Sequence, residues 1–415
     1  MRTETASMLT RHGLRGEQRR RASFSRKFRM QSESSLHKPG NPGSPKLAFL
    51  GAVGLDYLAT VEQYPDPDDK IRVKRSVETG GGNAGNAAAT ASRLNCDVSL
   101  ASKIGSDGSG KGILNELADD CIDTSFMSES STSASPFTYI IADQCTGTRT
   151  CIHTPSEAMQ PDEINAEALA DNVDAVFLDG RHPDAAKSVA NAAHCRDECL
   201  LVVEAERPRD GLDDLLELAD VITLSNTFAR SAGHIDSNDD ASDDAGLIGL
   251  LQAVENSCPN AIAAYRTLGS RGLVCIERDI SNSGSSDCAP LKIESVDDVP
   301  NDLHVGPAPI APSKWHVRVP AKASLSNPLK LAQNSRLWYP TRITASGIAS
   351  DQIVDSTGAG DALNGATVAC LASGWNVVDS LTLASSVAAL SLRTLGPRSG
   401  LPTRSEIDEL VTNSH

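Results

Sequence analysis

A glycine-rich turn near residue 358 carries the residues best suited to chemistry. It runs from Asp355 to Asp361 with the sequence DSTGAGD and leads into small and apolar residues at 362–371, which favour a helix. The apolar stretch 351–354 before it predicts the end of a strand. The first N–H groups of a helix have no intrahelical partners and, with the helix dipole, favour an anion. A carboxylate at Asp361, beside a bound phosphate, would suit a base that takes a proton from an attacking hydroxyl.

A second glycine-rich turn, residues 80–86 with the sequence GGGNAGN, opens a predicted helix through Leu94. It places Asn83 and Asn86 one turn apart on one helix face. Amides bind hydroxyl-rich ligands because they donate and accept hydrogen bonds at once. A purely structural alternative makes Asn83 a helix N-cap, but it does not explain Asn86. Asp56 directly follows a predicted buried first strand at 46–54, so we expect one carboxylate and two amides to converge.

Residues 105–112, with the sequence GSDGSGKG, have the spacing of a phosphate-binding Walker A loop around Lys111. Gly112 stands where that loop needs a hydroxyl for Mg²⁺. We therefore predict an ordinary turn between a strand and a helix.

Composition and charge exclude several classes of function. The chain has 415 residues, is 40% hydrophobic and carries a net charge of −16. Residues 1–46 hold eight Arg and three Lys against three Glu, a net of +8, so the remainder is at −24. This charge argues against nucleic-acid binding by the folded part. No apolar run approaches the roughly 18–20 residues that a membrane helix needs.

The basic residues 1–46 are predicted to be a disordered extension. They are rich in Arg and Ser and lack the apolar core of a secretory signal. They suggest a transit peptide for a plastid or mitochondrion, with a basic regulatory arm on a cytosolic protein as the alternative. The ten cysteines include no CxxC pair. His194, Cys195 and Cys199 form the only close group, for which reduced intracellular thiols are favoured over a metal site.

Alternating strand and helix patterns over 175–277 predict a parallel sheet covered by helices on both faces. The predicted strands are 175–178, 200–204, 221–224, 261–265 and 273–277, and the predicted helices are 184–193, 212–218, 247–256 and 379–394. Residues 136–142 and 148–154 are predicted to form a hairpin. Two polar stretches, 231–245 and about 279–346, interrupt the pattern and are predicted surface insertions, and residues 404–415 form a C-terminal tail.

The two glycine turns, in this order on a βα chain of this length, resemble the ribokinase-like (PfkB) carbohydrate kinase family. The resemblance covers residues 47–403. Within the family, the chain is similar to the ketohexokinase/fructokinase-like branch and to plant PfkB-like kinases. The segments that carry this narrower likeness are 53–56, 64–72, 148–150, 179–181 and 204–209.

The resemblance implies an α/β fold, a three-layer α/β/α sandwich with a mostly parallel central sheet. It also implies a small β-sheet lid, built from about 57–79 and 125–154. ATP and Mg²⁺ are the implied cofactors. The implied reaction transfers the γ-phosphoryl group to a hydroxyl of a small sugar. A homodimer through the lid is a further possibility that the resemblance raises.

The resemblance also assigns roles by position. It makes Asp361 the general base, with Gly358, Ala359 and Gly360 as the anion hole for the phosphoryl group. The implied substrate ligands are Asp56, Gly82, Asn83, Asn86 and, from the lid, Arg149. The implied nucleotide loop contains Thr267, Gly269 and Gly272. Many relatives carry an Asn-x-x-Glu near the phosphates, but residues 226–229 here are Asn-Thr-Phe-Ala, so the metal ligands stay unassigned.

Other functions remain open at this point. One is a nucleoside kinase of the same fold, and another is a catalytically weak scaffold or regulatory protein. The intact turn around Asp361 argues against the scaffold. A dinucleotide oxidoreductase would need a GxGxxG turn after the first strand, and none follows it. One carboxylate and two amides fit a polyol ring better than a base, so we expect fructose or ribose rather than a nucleoside.

Overall fold

The computed structural model describes residues 43–196, 198–225, 227–228, 243–278, 338–343 and 352–412, with short pieces at 291–292, 304–305, 329–330, 345 and 348–349. The longer strands are β1 (Lys46–Leu50), β2 (Gly54–Val61), β3 (Arg75–Gly81), β4 (Asp97–Ala101), β5 (Lys103–Gly105), β6 (Ser128–Ser130), β7 (Phe137–Asp143), β8 (Arg149–Thr154), β9 (Ala175–Leu178), β10 (Leu200–Ala205), β11 (Val221–Leu224), β12 (Ala263–Thr267) and β13 (Leu273–Arg278). They are followed by the two-residue strands β14 (Leu291–Lys292), β15 (His304–Val305) and β16 (Leu329–Lys330), and by β17 (Trp338–Ile343). The helices are α1 (Asn83–Arg93), α2 (Gly108–Asp119), α3 (Ala166–Leu169), α4 (Pro183–His194), α5 (Leu212–Leu218), α6 (Asp243–Ser257), α7 (Ala359–Ala372), α8 (Val377–Ser391) and α9 (Arg404–Thr412).

The central sheet confirms the predicted α/β fold. Its strand order is β14-β16-β17-β13-β12-β11-β10-β9-β1-β4, with β15 beside β17. From β4 to β12 neighbouring strands run parallel, whereas β13 is antiparallel to both β12 and β17. Phe49 and Phe177 pack into the core on one face, which includes α1, α7 and α8, and Leu50 and Leu178 pack into the core with α4, α5 and α6. Burial on both faces explains why these strands are continuous apolar runs in the sequence.

The lid is a separate four-stranded sheet with the order β3-β2-β7-β8. Strands β2 and β7 run parallel, and the outer pairs β2–β3 and β7–β8 are antiparallel. The lid was therefore correctly predicted, although β6 pairs with β5 outside it. Asp56 was expected directly after the first strand, and this placement is wrong. Strand β1 ends at Leu50, and the chain turns at Gly51 into β2, so Asp56 lies within the lid sheet.

Two predictions near the C-terminal half are corrected. Residues 338–343 were assigned to a surface insertion, but β17 pairs along the whole length of β13 and Trp338 is fully buried. Residues 351–354 were predicted to end a strand, yet 353–356 have no regular structure. Ile353 and Val354 are each 46% exposed, so this short apolar run does not enter the sheet. Ile353 instead lines a pocket described below.

Several predictions lie outside the described residues. The basic extension is described only from residue 43, the insertion 231–245 only from residue 243, and Asn226 not at all. Within the described part of the chain, no helix is both long and apolar enough to cross a membrane.

Candidate active site

The DSTGAGD turn is held by its first residue, Asp355. Its carboxylate accepts hydrogen bonds from the backbone N–H and hydroxyl of Thr357, at 2.9 and 2.7 Å, and from the N–H of Gly396 at 2.9 Å. Gly358 has a φ of 79°, and an added Cβ there would lie 2.8 Å from Pro397. Only glycine fits this position without strain. The described residues leave open space where a Cβ on Gly360 would stand, so an anion can approach the first turn of α7.

Asp361 and Asn86, 275 residues apart in the sequence, meet here. The Nδ2 of Asn86 donates to Oδ2 of Asp361 at 2.8 Å. Burial raises the pKa of Asp361 to about 7, helped by the charges of Glu206, Asp179 and Asp56 and opposed by the Asn86 hydrogen bond. A carboxylate with a pKa near neutrality is a stronger base than an ordinary aspartate, and it is about half ionised at pH 7 and largely ionised at pH 8.

Asn83 belongs to a buried chain of hydrogen bonds centred on Glu204. One Glu204 oxygen accepts from Nδ2 of Asn83 at 3.1 Å, and the other accepts from Nδ2 of Asn364 at 2.9 Å. The hydroxyl of Tyr265 donates to Oδ1 of Asn364 at 2.8 Å. Burial first, and then the charges of Asp361 and Asp179, raise the pKa of Glu204 well above its usual range. The N-cap residue of α1 is Gly82, so the structural alternative that made Asn83 the N-cap is wrong.

Asp56 reaches the same region from the lid. It is buried, and burial raises its pKa to about 6, whereas the Thr138 hydrogen bond and the positive charge of Arg398 act in the opposite direction. Arg149 reaches in from β8, where its guanidinium donates to the hydroxyl of Ser356 in the DSTGAGD turn. The structure therefore brings together the predicted base and the predicted Asp56, Asn86 and Arg149.

The four glycines of the GGGNAG turn make room for neighbouring groups that a Cβ would displace. A Cβ on Gly80 or Gly85 would lie 2.6 Å from the guanidinium of Arg398, and one on Gly81 would lie 2.4 Å from Oδ2 of Asp56. Gly82 has a φ of 87° and would place a Cβ 2.5 Å from the carbonyl of Ala52. Arg398 is a residue that the sequence did not reveal. It is 3% exposed and donates to the carbonyl of Gly81 at 3.4 Å.

A pocket of about 590 Å³ adjoins the DSTGAGD turn. It contains the predicted nucleotide-loop residues Thr267, Gly269 and Gly272, together with Arg149, Ser356, Ala359 and Gly360. Apolar side chains, among them Ile353, Leu363 and Leu392, form most of its remaining walls. Its size, its apolar walls and the open helix N-terminus fit a nucleotide with its phosphates at α7.

The described residues contain no group of three or more His, Cys, Asp or Glu side chains that could form a metal cage. His194, Cys195 and Cys199 are among these residues and form no such group. Mg²⁺ in phosphate-transfer sites is held by one or two carboxylates together with the substrate phosphates, so the residues remain compatible with it. The Asn-Thr-Phe-Ala stretch at 226–229 is described only at 227–228 and assigns no ligand.

The Walker-like stretch is an ordinary capped turn. The side chain of Asp107 accepts from the N–H of Gly110 at 2.7 Å and caps α2, and it also accepts from the hydroxyl of Ser135. A Cβ on Gly110 would lie 2.2 Å from the carbonyl of Gly105, so the turn is closed on itself. Lys111 is exposed on α2 and does not line the 590 Å³ pocket.

Comparisons with known proteins agree with this geometry. Ribokinase from Haemophilus influenzae is 20% identical over 379 residues, which cover 89% of this chain and 99% of that enzyme. Ribokinase from Staphylococcus aureus is 34% identical over 83 residues, 20% of this chain, and that stretch spans only 27% of the enzyme. The solved structure of Arabidopsis thaliana ribokinase complexed with ribose and ATP has a TM-score of 0.60 at 17% identity, covering 89% of this chain and 99% of that one.

This structural likeness, at such low identity, shows the ribokinase-like fold. The family is shown by a different comparison. The model of the pfkB family carbohydrate kinases matches residues 44–299 and 341–404, which include both glycine turns, the lid strands and the pocket residues 267–273. The chain belongs to the pfkB family of carbohydrate kinases.

Proposed function

We propose that the protein is an ATP-dependent kinase that transfers the γ-phosphoryl group to a hydroxyl of a small sugar, with Asp361 as general base. One observation carries this proposal. Asn86 is 2% exposed, its Nδ2 is held by Asp361, and its Oδ1 has no hydrogen-bond partner among the described residues. A buried acceptor without a partner is costly, and a substrate hydroxyl would satisfy it beside the base.

The neighbouring groups offer acceptors in the same way. Because Glu204 holds Nδ2 of Asn83, the Oδ1 of Asn83 is left to face a ligand. Asp56 and Asp361 accept whenever they are ionised. A ligand that meets several acceptors must bring several donors, and a polyol brings one donor for each hydroxyl. This pattern supports fructose or ribose as the substrate type.

The lid favours a sugar over a nucleoside. Tyr57, Phe137 and Tyr139 form an aromatic cluster with ring centroids 5.2–6.1 Å apart, which the sequence did not lead us to expect. They alternate along β2 and β7 with Asp56 and Thr138, so they lie on the opposite face of the lid. Rings on that face cannot stack on a base bound beside Asp56.

In the proposed mechanism the sugar lies between the lid and the start of α1, and ATP occupies the 590 Å³ pocket. Asp361 takes the proton of the attacking hydroxyl, and Asn86 orients its carboxylate. The N–H groups of Gly358, Ala359 and Gly360 and the dipole of α7 stabilise the negative charge of the phosphoryl group. Arg149 adds positive charge from the lid. Mg²⁺ bound to the phosphates would neutralise part of their charge.

ATP consumption with a panel of substrates tests the proposal. We expect fructose or ribose to give a higher kcat/KM than adenosine or pseudouridine. A nucleoside that exceeds every sugar tenfold would replace the sugar kinase with a nucleoside kinase of the same fold. No ATP consumption with any substrate would leave a scaffold or regulatory protein.

The lid also supports a homodimer as part of the proposal. Tyr139 and Ile152 are register partners on the outer face of β7 and β8, and each is 51% exposed. A second copy packed on this face would bury both side chains. Sedimentation of wild type and of the Tyr139→Lys variant would test it, with a monomer expected for the variant.

Lys111→Ala is expected to change ATP affinity less than about threefold, which is under about 1 kcal/mol. The reason is that Lys111 projects from a capped turn outside the 590 Å³ pocket. Equilibrium binding of ATP to the variant checks this result. A complete loss of ATP binding would make residues 105–112 a nucleotide loop after all.

Glu204→Gln is expected to raise the sugar KM about 3- to 10-fold, the effect of one lost hydrogen bond, with a smaller change in kcat. A glutamine presents one N–H₂ group, so it can no longer accept from both Asn83 and Asn364. Steady-state kinetics measure the split between KM and kcat. Tyr265→Phe is the control, because it loses only the far end of the same chain of hydrogen bonds. Equal KM values in both variants would contradict a role for Glu204 in positioning Asn83.

A further inference from the structure

Arg398 is a buried charge that its own hydrogen bonds do not explain. It lies in the loop between α8 and α9 and is 3% exposed. Its Nη2 donates to the carbonyl of Gly81 at 3.4 Å, which is long for such a bond. Its Nε and Nη1 have no hydrogen-bond partner among the described residues. Burial of a guanidinium with so few partners opposes folding, which indicates that the charge serves a neighbouring group.

Two consecutive glycines lie between Arg398 and Asp56. Gly80 and Gly81 are the last residues of β3, so their Cβ positions point to opposite faces of the lid. A Cβ on Gly80 would lie 2.6 Å from the guanidinium of Arg398, and one on Gly81 would lie 2.4 Å from Oδ2 of Asp56. The guanidinium and the carboxylate therefore approach the same two residues of backbone from opposite sides, at a distance that any larger side chain would increase.

The charges around Asp56 act in both directions. Burial raises its pKa to about 6, and the charges of Asp355 and Glu116 act in the same direction. The Thr138 hydrogen bond and the charge of Arg398 act in the opposite direction. Among these charged neighbours, Arg398 is the one that favours the ionised carboxylate.

Three further titratable groups face Asp56. Burial first, and the charge of Asp56 among others, raise the pKa of Asp361, so these two carboxylates repel each other. Cys151 and His153 lie on β8, on the same face of the lid as Asp56. Burial raises the pKa of the Cys151 thiol and lowers that of the His153 imidazole, so both side chains favour their neutral forms. The ionised form of Asp56 therefore depends in large part on Arg398.

Glu116 lies on the other side of the guanidinium. Its carboxylate is 3.9 Å from Nη1 of Arg398, is 35% exposed and accepts from the N–H of Gly80 at 2.5 Å. Asp120 also attracts the guanidinium and Arg93 repels it, and these two residues are paired with each other at 2.9 Å. Solvent screens the exposed Glu116, whereas the attraction between Arg398 and the buried Asp56 acts at a lower effective dielectric constant.

We propose that Arg398 is a positioning residue of the sugar site, whose guanidinium keeps Asp56 in the ionised form that accepts two hydroxyl hydrogen bonds. A protonated carboxyl group would offer a donor in place of one acceptor. The effect passes through Asp56 and across the backbone of Gly80 and Gly81, and it needs no contact between Arg398 and the sugar. This inference rests on the proposed sugar kinase activity and adds a residue to its machinery.

The test follows sugar affinity with pH. The full chain is titrated with fructose and with ribose by calorimetry, without ATP, from pH 5 to 9. The dissociation constant of the wild type should rise as the pH falls through about 6. Arg398→Met replaces the charge with an apolar side chain and should move this midpoint up by about one pH unit or more. Its affinity should then be about tenfold below that of the wild type at pH 5.5 and equal to it at pH 9.

Two further variants separate charge from packing. Arg398→Lys keeps a positive charge and should keep the midpoint near that of the wild type. Glu116→Gln removes a negative charge, while its amide oxygen can still accept from the N–H of Gly80, so the midpoint should move to lower pH. Opposite shifts in Arg398→Met and Glu116→Gln are a result that loss of packing does not produce.

Arg93→Met is the matched control. Arg93 pairs with Asp120 and donates to the carbonyl of Leu401 at 2.8 Å, so its removal affects the same region without removing a charge that acts on Asp56. The variant should have a lower Tm and an unchanged midpoint of sugar affinity.

The outcomes separate this inference from the proposed function. An Arg398→Met variant with its midpoint still near pH 6 and its affinity reduced equally at every pH would overturn the inference and leave the kinase proposal intact. If that variant does not fold, Glu116→Gln decides, and an unchanged or raised midpoint there would overturn the inference as well. Sugar binding by the wild type that does not change between pH 5 and 9 would remove Asp56 from the sugar site, and with it the role of Arg398. No binding of either sugar by the wild type would refute the proposed function itself.

Discussion

Asp361→Asn is expected to lower turnover by roughly 10²- to 10⁴-fold while ATP binding stays largely intact. An asparagine oxygen can still accept from Nδ2 of Asn86, so the geometry of the helix start is kept. What is lost is the ability to take a proton from the attacking hydroxyl. Single-turnover rates and ATP dissociation constants, measured on the same preparation, separate the two effects. Turnover close to that of the wild type would remove Asp361 from the base role.

The chain provides a matched control for this variant. Asp379 is the third residue of α8, as Asp361 is of α7, and its backbone N–H donates to Oδ1 of Asn376 at 2.8 Å. Asp379→Asn should therefore leave turnover unchanged.

The pH profile gives a second test of the base. Because the pKa of Asp361 is raised to about 7 and the base must be ionised, kcat should fall as the pH drops below about 7.

Asp56→Ala is expected to lower kcat/KM by about 2–4 kcal/mol, or roughly 30- to 1000-fold. A carboxylate accepts two hydroxyl hydrogen bonds, and alanine would leave both substrate hydroxyls without a partner. In the wild type, kcat/KM should also fall as the pH drops through about 6, since the pKa of Asp56 is raised to that value. The measurement is kcat/KM for the best sugar and for a nucleoside, on both proteins.

Glu78→Ala is the control for Asp56→Ala. Glu78 lies on β3, the neighbouring lid strand, one residue before Thr79, the register partner of Asp56, so it points to the other face. The Glu78→Ala variant tests whether kcat/KM also falls when an acidic side chain is removed from the other face of the lid. An equal loss in both variants would show that the effect comes from the stability of the lid and not from contacts to the substrate.

The parallel sheet was predictable because its strands are buried on both faces. Strands 175–178 and 221–224 were predicted with the bounds that the structure has, since continuous apolar runs between helical patterns leave few alternatives. Strand β17 escaped prediction because polar residues surround it and its partner β13 lies far away in the sequence. The opposite error arose at 351–354, because Ile353 and Val354 look like the end of a buried strand, whereas both are half-exposed and Ile353 lines a pocket.

The site residues were predictable where the backbone conformation requires a particular residue type. Gly358 and Gly82 have positive φ, and glycine is the residue that such turns select. Arg398 was not predictable in this way. A single arginine belongs to no motif, so the sequence does not indicate that it packs against a turn 317 residues earlier. The role of Glu204 depends on tertiary contacts in the same way. The narrower likeness to the ketohexokinase branch stays a prediction.

The buried contact between Arg398 and Gly81 affects how the protein is made. The turn that holds Asn83 and Asn86 emerges from the ribosome early, but the guanidinium beneath it is added 317 residues later. At about 5–20 residues per second this interval is roughly 15–60 s. During synthesis the N-terminal strands can therefore fold before the guanidinium that packs against this turn exists. The turn reaches its final packing only after residue 398 has been added.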